Sequence, residues 1–174
     1  MITNTFNYQL PDTKYRNKII NDLLNKYTFL NHGSLSQSLC FRNIDYIQIG
    51  NPINQVLLAG AFHGMEWLTS LLLLHFVKEI SEAVTKEIPI SDINISEFLK
   101  HRGVIIVPCV NPDGVEISMH GAKSAGRFSS LVEKASNGDT DSWQANARGV
   151  DINHNFNAGW NALHELELSC GITG

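Results

Sequence analysis

The sequence predicts an α/β domain, a mixed central sheet flanked by helices, on three observations. Two short apolar runs, residues 55–61 and 103–110, read as strands. Each ends in a polar loop, the first at His63 and the second at Asn111-Pro112-Asp113-Gly114. Helical patterns precede the first run and separate it from the second. In open α/β sheets, ligand sites gather beyond the carboxyl ends of strands, so the two loops mark one candidate site. At 174 residues the chain suits a single α/β domain, residues 1–174.

Over residues 15–30, Ile19, Ile20, Leu23, Leu24 and Tyr27 recur at three- and four-residue spacing, the mark of a helix with one apolar face. It closes at Asn31, His32 and Gly33. Runs at residues 38–41 and 44–49, separated by Arg42 and Asn43 and ended by Gly50, Asn51 and Pro52, read as a hairpin at a sheet edge. Val56, Leu57, Leu58 and Ala59 make a strand short enough to be buried on both faces. The helix over residues 67–84 turns Leu68, Leu71, Leu72, His75 and Ile80 inward and ends ahead of Pro89. Val104 to Val107 form the second buried strand. Residues 121–146, rich in Gly, Ser, Lys, Asn and Asp, read as an extended surface excursion, after which Gly149 to Ile152 return to the sheet or its rim.

A content of 43% apolar and 17% charged residues is that of a soluble globular protein. Thirteen Lys and Arg against seventeen Asp and Glu give a net charge of −4 with no basic stripe, which argues against a nucleic-acid partner. Cys40, Cys109 and Cys170 lack paired metal-type spacing and suit a reducing compartment. Residues 1–10 lack the basic start and apolar run of a secretory signal, and no later run is long enough to span a bilayer. The expected location is cytoplasmic, away from the membrane.

His63 and Glu66 flank Gly64-Met65 at a strand-to-helix junction, where an imidazole and a carboxylate can converge on one cation. Zinc takes such nitrogen and oxygen ligands, and a catalytic site uses three protein ligands with one position open, so this pair is half of a site. The plainer alternative is a strand-end His beside a Glu favourably set near a helix N-terminus. Asn111-Pro112-Asp113-Gly114 alone is a good turn, in which Pro fixes a dihedral, Asp caps and Gly accepts a positive φ. Residues 146–156 concentrate amides, a guanidinium, a carboxylate and an imidazole, more recognition groups than a turn requires.

Taken in order, the three motifs resemble the zinc carboxypeptidase family. His63-Gly64-Met65-Glu66-Trp67 with Thr69 and Ser70 is similar to its first metal motif, Asn111 to Gly114 to the loop after its next core strand, and Gly149 to Phe156 to its substrate-anchoring segment. Trp143 to Arg148 and Asn157-Ala158-Gly159-Trp160 look most like the bacterial γ-D-glutamyl-diaminopimelate peptidase branch. The resemblance covers about the first half of a family domain and implies a zinc peptidase-like fold.

It also implies Zn2+ as cofactor and a peptide as substrate. In the family a His, a Glu and a later His hold the ion, which polarises the scissile carbonyl, while a separate Glu is general base. His63 and Glu66 inherit the first two ligand positions; the later His, the base and a substrate-covering Tyr fall after Gly174. Asn153 and His154 match the positions that grip a substrate carboxylate, although the family carries Arg where His154 stands, and a His is only partly cationic at neutral pH. Gln144 stands at the position of the oxyanion Arg of pancreatic-type members. Arg148 is then the candidate transition-state donor, against a solvent-facing charge or an ion pair with Asp151. The expected function is a zinc-dependent metallopeptidase of carboxypeptidase type, acting on peptides or cell-wall peptides and inactive as these residues alone. A non-catalytic binding module and an N-acyl amino acid deacylase are the alternatives. A sheet cut midway leaves an open edge and an unburied face, which predicts self-association.

Overall fold

The computed structural model describes residues 10–171; the expectation about a signal at the N-terminus lies outside them, save for Leu10. Helix α1 (Thr13–Lys26) leads into strands β1 (Asn31–Gln37), β2 (Asn43–Gly50) and β3 (Gln55–Ala59). A three-residue 3-10 turn, Gly64–Glu66, precedes α2 (Leu68–Lys86) and α3 (Ile95–His101). Strand β4 (Gly103–Val107), α4 (Pro112–His120), a 3-10 segment (Ala122–Phe128), α5 (Ser129–Ser136) and α6 (Trp160–Ser169) complete the order.

The four strands form one mixed sheet in the order β1-β2-β4-β3. β1 and β2 are the antiparallel edge hairpin, β2 runs antiparallel to β4, and β3 runs parallel to β4 with Val56 opposite Val104 and Leu58 opposite Ile106. The hairpin sits where the sequence indicates, but its first strand begins at Asn31, not at Ser38; residues 38–42 form the connecting turn. Apart from Leu35, β1 has no apolar alternation to announce it, and its pairing with β2 makes it a strand.

Ile47 and Ile49 of β2, Val104 and Ile106 of β4 and Leu58 of β3 share one face and pack against Ile20 and Leu23 of α1 and Leu74, Val77 and Ile80 of α2. Of the five residues expected inward on α2 only Ile80 is buried, whereas Leu68 and Leu72 are each 65% exposed. The helix is apolar around most of its circumference, so periodicity alone does not orient it. β3 likewise departs from expectation: Val56 and Leu57, on opposite faces, are both more than half exposed. A second small core, around Ile117, Ala125, Val132, Trp143 and Ala147, replaces the surface excursion expected for residues 121–146.

Candidate metal and peptide site

The site is assembled where β3 and β4 end. From β3 the chain passes through Gly60 and Ala61 to His63 and the 3-10 turn that carries Glu66. From β4 it passes through Val110 to Asn111, the N-cap of α4, whose side-chain oxygen accepts from the Gly114 amide at 2.9 Å while Pro112 occupies the first turn. The motif read as a turn is thus a helix start, and Asn111, not Asp113, caps it. Backbone bonds from Val110 to Gly60 and from Asn111 to Ala61 keep the two exits side by side. Gly114 is helical and does not use a positive φ; its lack of a side chain matters instead, since a Cβ there would lie 2.4 Å from Nδ2 of Asn111. Gly64 is equally confined, since a Cβ there would run into the Gly114 carbonyl.

Asp113 anchors the other side of the loop. Fully buried, it accepts from the Ser38 hydroxyl at 2.7 Å and the Cys40 amide at 3.0 Å, and pairs with Nη1 of Arg42 at 2.6 Å. The β1–β2 turn is thereby tied to the start of α4.

His63 is the centre of the arrangement. Its Nδ1 lies 3.0 Å from Oε1 of Glu66 and its Nε2 lies 3.4 Å from Oδ1 of Asp151. The hydrogen bond with Glu66 raises the imidazole pKa; partial burial opposes this, and the charges of Glu66 and then Asp151 add to it. The same Asp151 oxygen accepts from the amides of Asn153 at 2.9 Å and His154 at 3.3 Å. One carboxylate therefore links the imidazole to the backbone of the segment expected to anchor substrate. Residues 149–152 form no strand; they reach the rim of the sheet as a loop.

The sequence places Asp151 in the substrate-anchoring segment and offers it as an ion-pair partner for Arg148. That pair does not form among the described residues: Arg148 is exposed, and Asp151 faces His63. Asn153 and His154 are also exposed, with Nδ1 of His154 3.6 Å from Glu167 of α6. His164 stacks on Trp160 within α6, ring centroids 4.9 Å apart. The geometry thus joins His63, Glu66 and Asp151, and gives no contact between that trio and the side chains of Arg148, Asn153 or His154.

As a donor set, an imidazole nitrogen and a carboxylate oxygen 3.0 Å apart fit zinc in kind, and a carboxylate on the far imidazole nitrogen is the usual support for a metal-bound His. Among the described residues no group of three or more His, Cys, Asp or Glu side chains is arranged to hold an ion. The fit is that of two ligands and their support.

Comparison with known proteins decides the family. A family model described as zinc carboxypeptidase matches residues 13–171. The chain belongs to the zinc carboxypeptidase family. Among curated relatives, the γ-D-glutamyl-L-diamino acid endopeptidase 1 of Lysinibacillus sphaericus is 29% identical over 143 residues, covering 81% of this chain and 36% of its own length. The fold is shared with thrombin-activatable fibrinolysis inhibitor (TM-score 0.69, 17% identity, 91% of this chain and 37% of that one). It is shared too with a metallo-carboxypeptidase from Burkholderia cenocepacia (TM-score 0.58, 14% identity, 90% and 37%). The chain spans little more than a third of the length of each of these proteins.

Proposed function

We propose that this chain carries the first two ligands of a zinc-dependent peptidase site of carboxypeptidase type, and that the peptides concerned are cell-wall peptides with γ-D-glutamyl-diamino acid linkages. The observation that carries the proposal is the placement of His63, with Nδ1 3.0 Å from Oε1 of Glu66 and Nε2 3.4 Å from Oδ1 of Asp151. A carboxylate on Nε2 fixes the ring and leaves Nδ1 and Glu66 as the converging donors. The substrate class rests on the name and 29% identity of the Lysinibacillus sphaericus relative.

When bound, zinc supplies Lewis-acid polarisation of a scissile carbonyl. The chain's own residues do the rest of what is proposed here. His63 and Glu66 hold the ion, and Asp151 orients His63 while fixing the turn that presents Asn153 and His154. Those two bind the substrate carboxylate. Arg148, exposed and without an ion pair to Asp151, is the proposed donor to developing negative charge. We take residues 1–174 as one α/β unit matching part of a family domain. Its thiols are free, which supports a cytoplasmic setting, and the open β3 edge supports self-association.

Two protein ligands hold zinc weakly, so the 174 residues alone should show millimolar zinc binding and negligible peptide hydrolysis. Direct zinc titration of the purified chain, followed through the His63 ring signals, tests the first, and turnover of a γ-D-glutamyl-diamino acid peptide tests the second. Loss of zinc binding in His63→Ala and Glu66→Ala is expected; binding indifferent to both would sink the assignment. Clear, chelator-sensitive hydrolysis by the chain would overturn the inactive reading.

A non-catalytic binding module on the same fold is the second reading. Tight stoichiometric zinc binding, requiring a site completed by another molecule, would count against it.

A further inference from the structure

Asn111 has no part in the chemistry proposed above, yet its carboxamide joins the ligand loop to the strip that leads to Asp151. The residue is buried, and its Nδ2 lies 3.0 Å from the Phe62 carbonyl, 3.2 Å from that of Gln144 and 3.1 Å from that of Ala145. Two amide hydrogens thus face three carbonyls from two chain segments, while Oδ1 is occupied by the Gly114 amide. Phe62 is the residue before His63. On the other side of His63, the amides of Gly64 and Met65 donate to the carbonyls of Gln144 and Trp143 at 3.1 and 3.0 Å. The loop carrying both ligands is therefore bonded along the strip 143–145, and Asn111 closes that seam from below.

We propose that Asn111 is a positioning residue for the His63–Glu66 pair: it clamps the ligand loop to the strip 143–145, from which the chain runs on to Asp151. The assignment of His63 and Glu66 as zinc ligands is taken from the proposed function. A buried amide left without partners is costly, so the clamp has one satisfied state and resists sliding. The close approach at the seam enforces it, because a Cβ on Gly64 would stand 2.6 Å from the Trp143 carbonyl and one on Gly114 2.6 Å from that of Ala145. A pure helix-capping role for Asn111 needs only Oδ1; the clamp needs Nδ2.

Asn111→Ser separates the two, since a serine still caps a helix but cannot reach the strip. Two readouts are taken on the full chain: zinc affinity by direct titration followed through the His63 ring signals, and amide hydrogen exchange of the metal-free protein. The clamp predicts that zinc affinity falls about tenfold or more, the range seen when the support of a metal ligand is lost. It also predicts that the Gly64 and Met65 amides exchange about tenfold faster or more while those of Ile47 and Ile106 in the sheet do not. Unchanged zinc affinity in a folded variant overturns the proposal, as does unchanged protection of Gly64 and Met65. If the wild-type chain binds no zinc, the zinc assignment fails by itself, and the exchange arm decides whether Asn111 holds the loop. Should Asn111→Ser unfold, the wild type gives the answer: the Asn111 carboxamide protons and the Gly64 and Met65 amides open together if the clamp exists, and at distinct free energies if it does not.

Discussion

Asp151 Oδ1 stands 3.4 Å from Nε2 of His63, on the opposite side of the ring from Glu66. The same oxygen caps the turn holding Asn153 and His154, so one carboxylate spans the proposed metal and substrate elements.

Replacing Asp151 by Asn tests the first half of that bridge. The amide oxygen still accepts from the two backbone amides, but the negative charge on the far side of the imidazole is gone. Zinc affinity measured by direct titration should fall about 10–100-fold, the usual effect of removing a carboxylate that supports a His ligand. Equal affinity in Asp151→Asn and wild type would remove Asp151 from the site.

The Asp113–Arg42 pair gives a stability prediction. Asp113 is 1% exposed and carries three partners, so its truncation strands a half-buried guanidinium, the Ser38 hydroxyl and the Cys40 amide. Breaking a buried ion pair from one side costs about 3–5 kcal/mol. Urea unfolding of Asp113→Ala should show that loss, whereas Arg42→Ala with Asp113→Ala together should cost less than the sum of the single changes. Additive effects would mean the pair is not coupled.

The three thiols should separate by reactivity. Burial raises the pKa of Cys109, and burial with the nearby Asp113 charge raises that of Cys40, while Cys170 is exposed. Thiolate is the reactive form, so a raised pKa and poor access act in the same direction. A disulfide reagent at pH 8 should modify Cys170 at once, Cys40 slowly and Cys109 only on unfolding. Prompt modification of Cys109 would contradict its packing beside Ala61 and Val115.

Much of this architecture is legible in the sequence because local signals agree with it. β4 and α1 carry the expected apolar patterns, and His63 and Asn111 fall at strand exits as read. What is not legible depends on contacts far apart in the chain. Nothing near Asn111 announces that its amide reaches residues 62, 144 and 145, and nothing near Asp151 announces His63. The pattern at residues 121–146 hid a core, because Ala122 and Ala125 are small and Val132 and Trp143 are scattered among Gly, Ser, Lys, Asn and Asp. The α2 orientation failed for the reverse reason, an excess of leucines.

Those leucines lead to the last prediction. β3 pairs only with β4 among the described residues and has neither charge nor proline along its five positions. On the sheet face away from α1 and α2, Leu57 is 62% exposed beside Ile105, and Leu68 and Leu72 of α2 are each 65% exposed. An uncharged, uncovered edge is a template for pairing with another strand. The chain should therefore associate with itself at micromolar concentrations in sedimentation velocity. A lysine at an edge position is a common guard against such pairing, so Leu57→Lys with Leu72→Lys should weaken association at least about tenfold, or 1.4 kcal/mol, and leave the sheet intact by circular dichroism. A wild-type chain that stays monomeric across that range, or a double variant that associates as strongly, would show that the edge is not used.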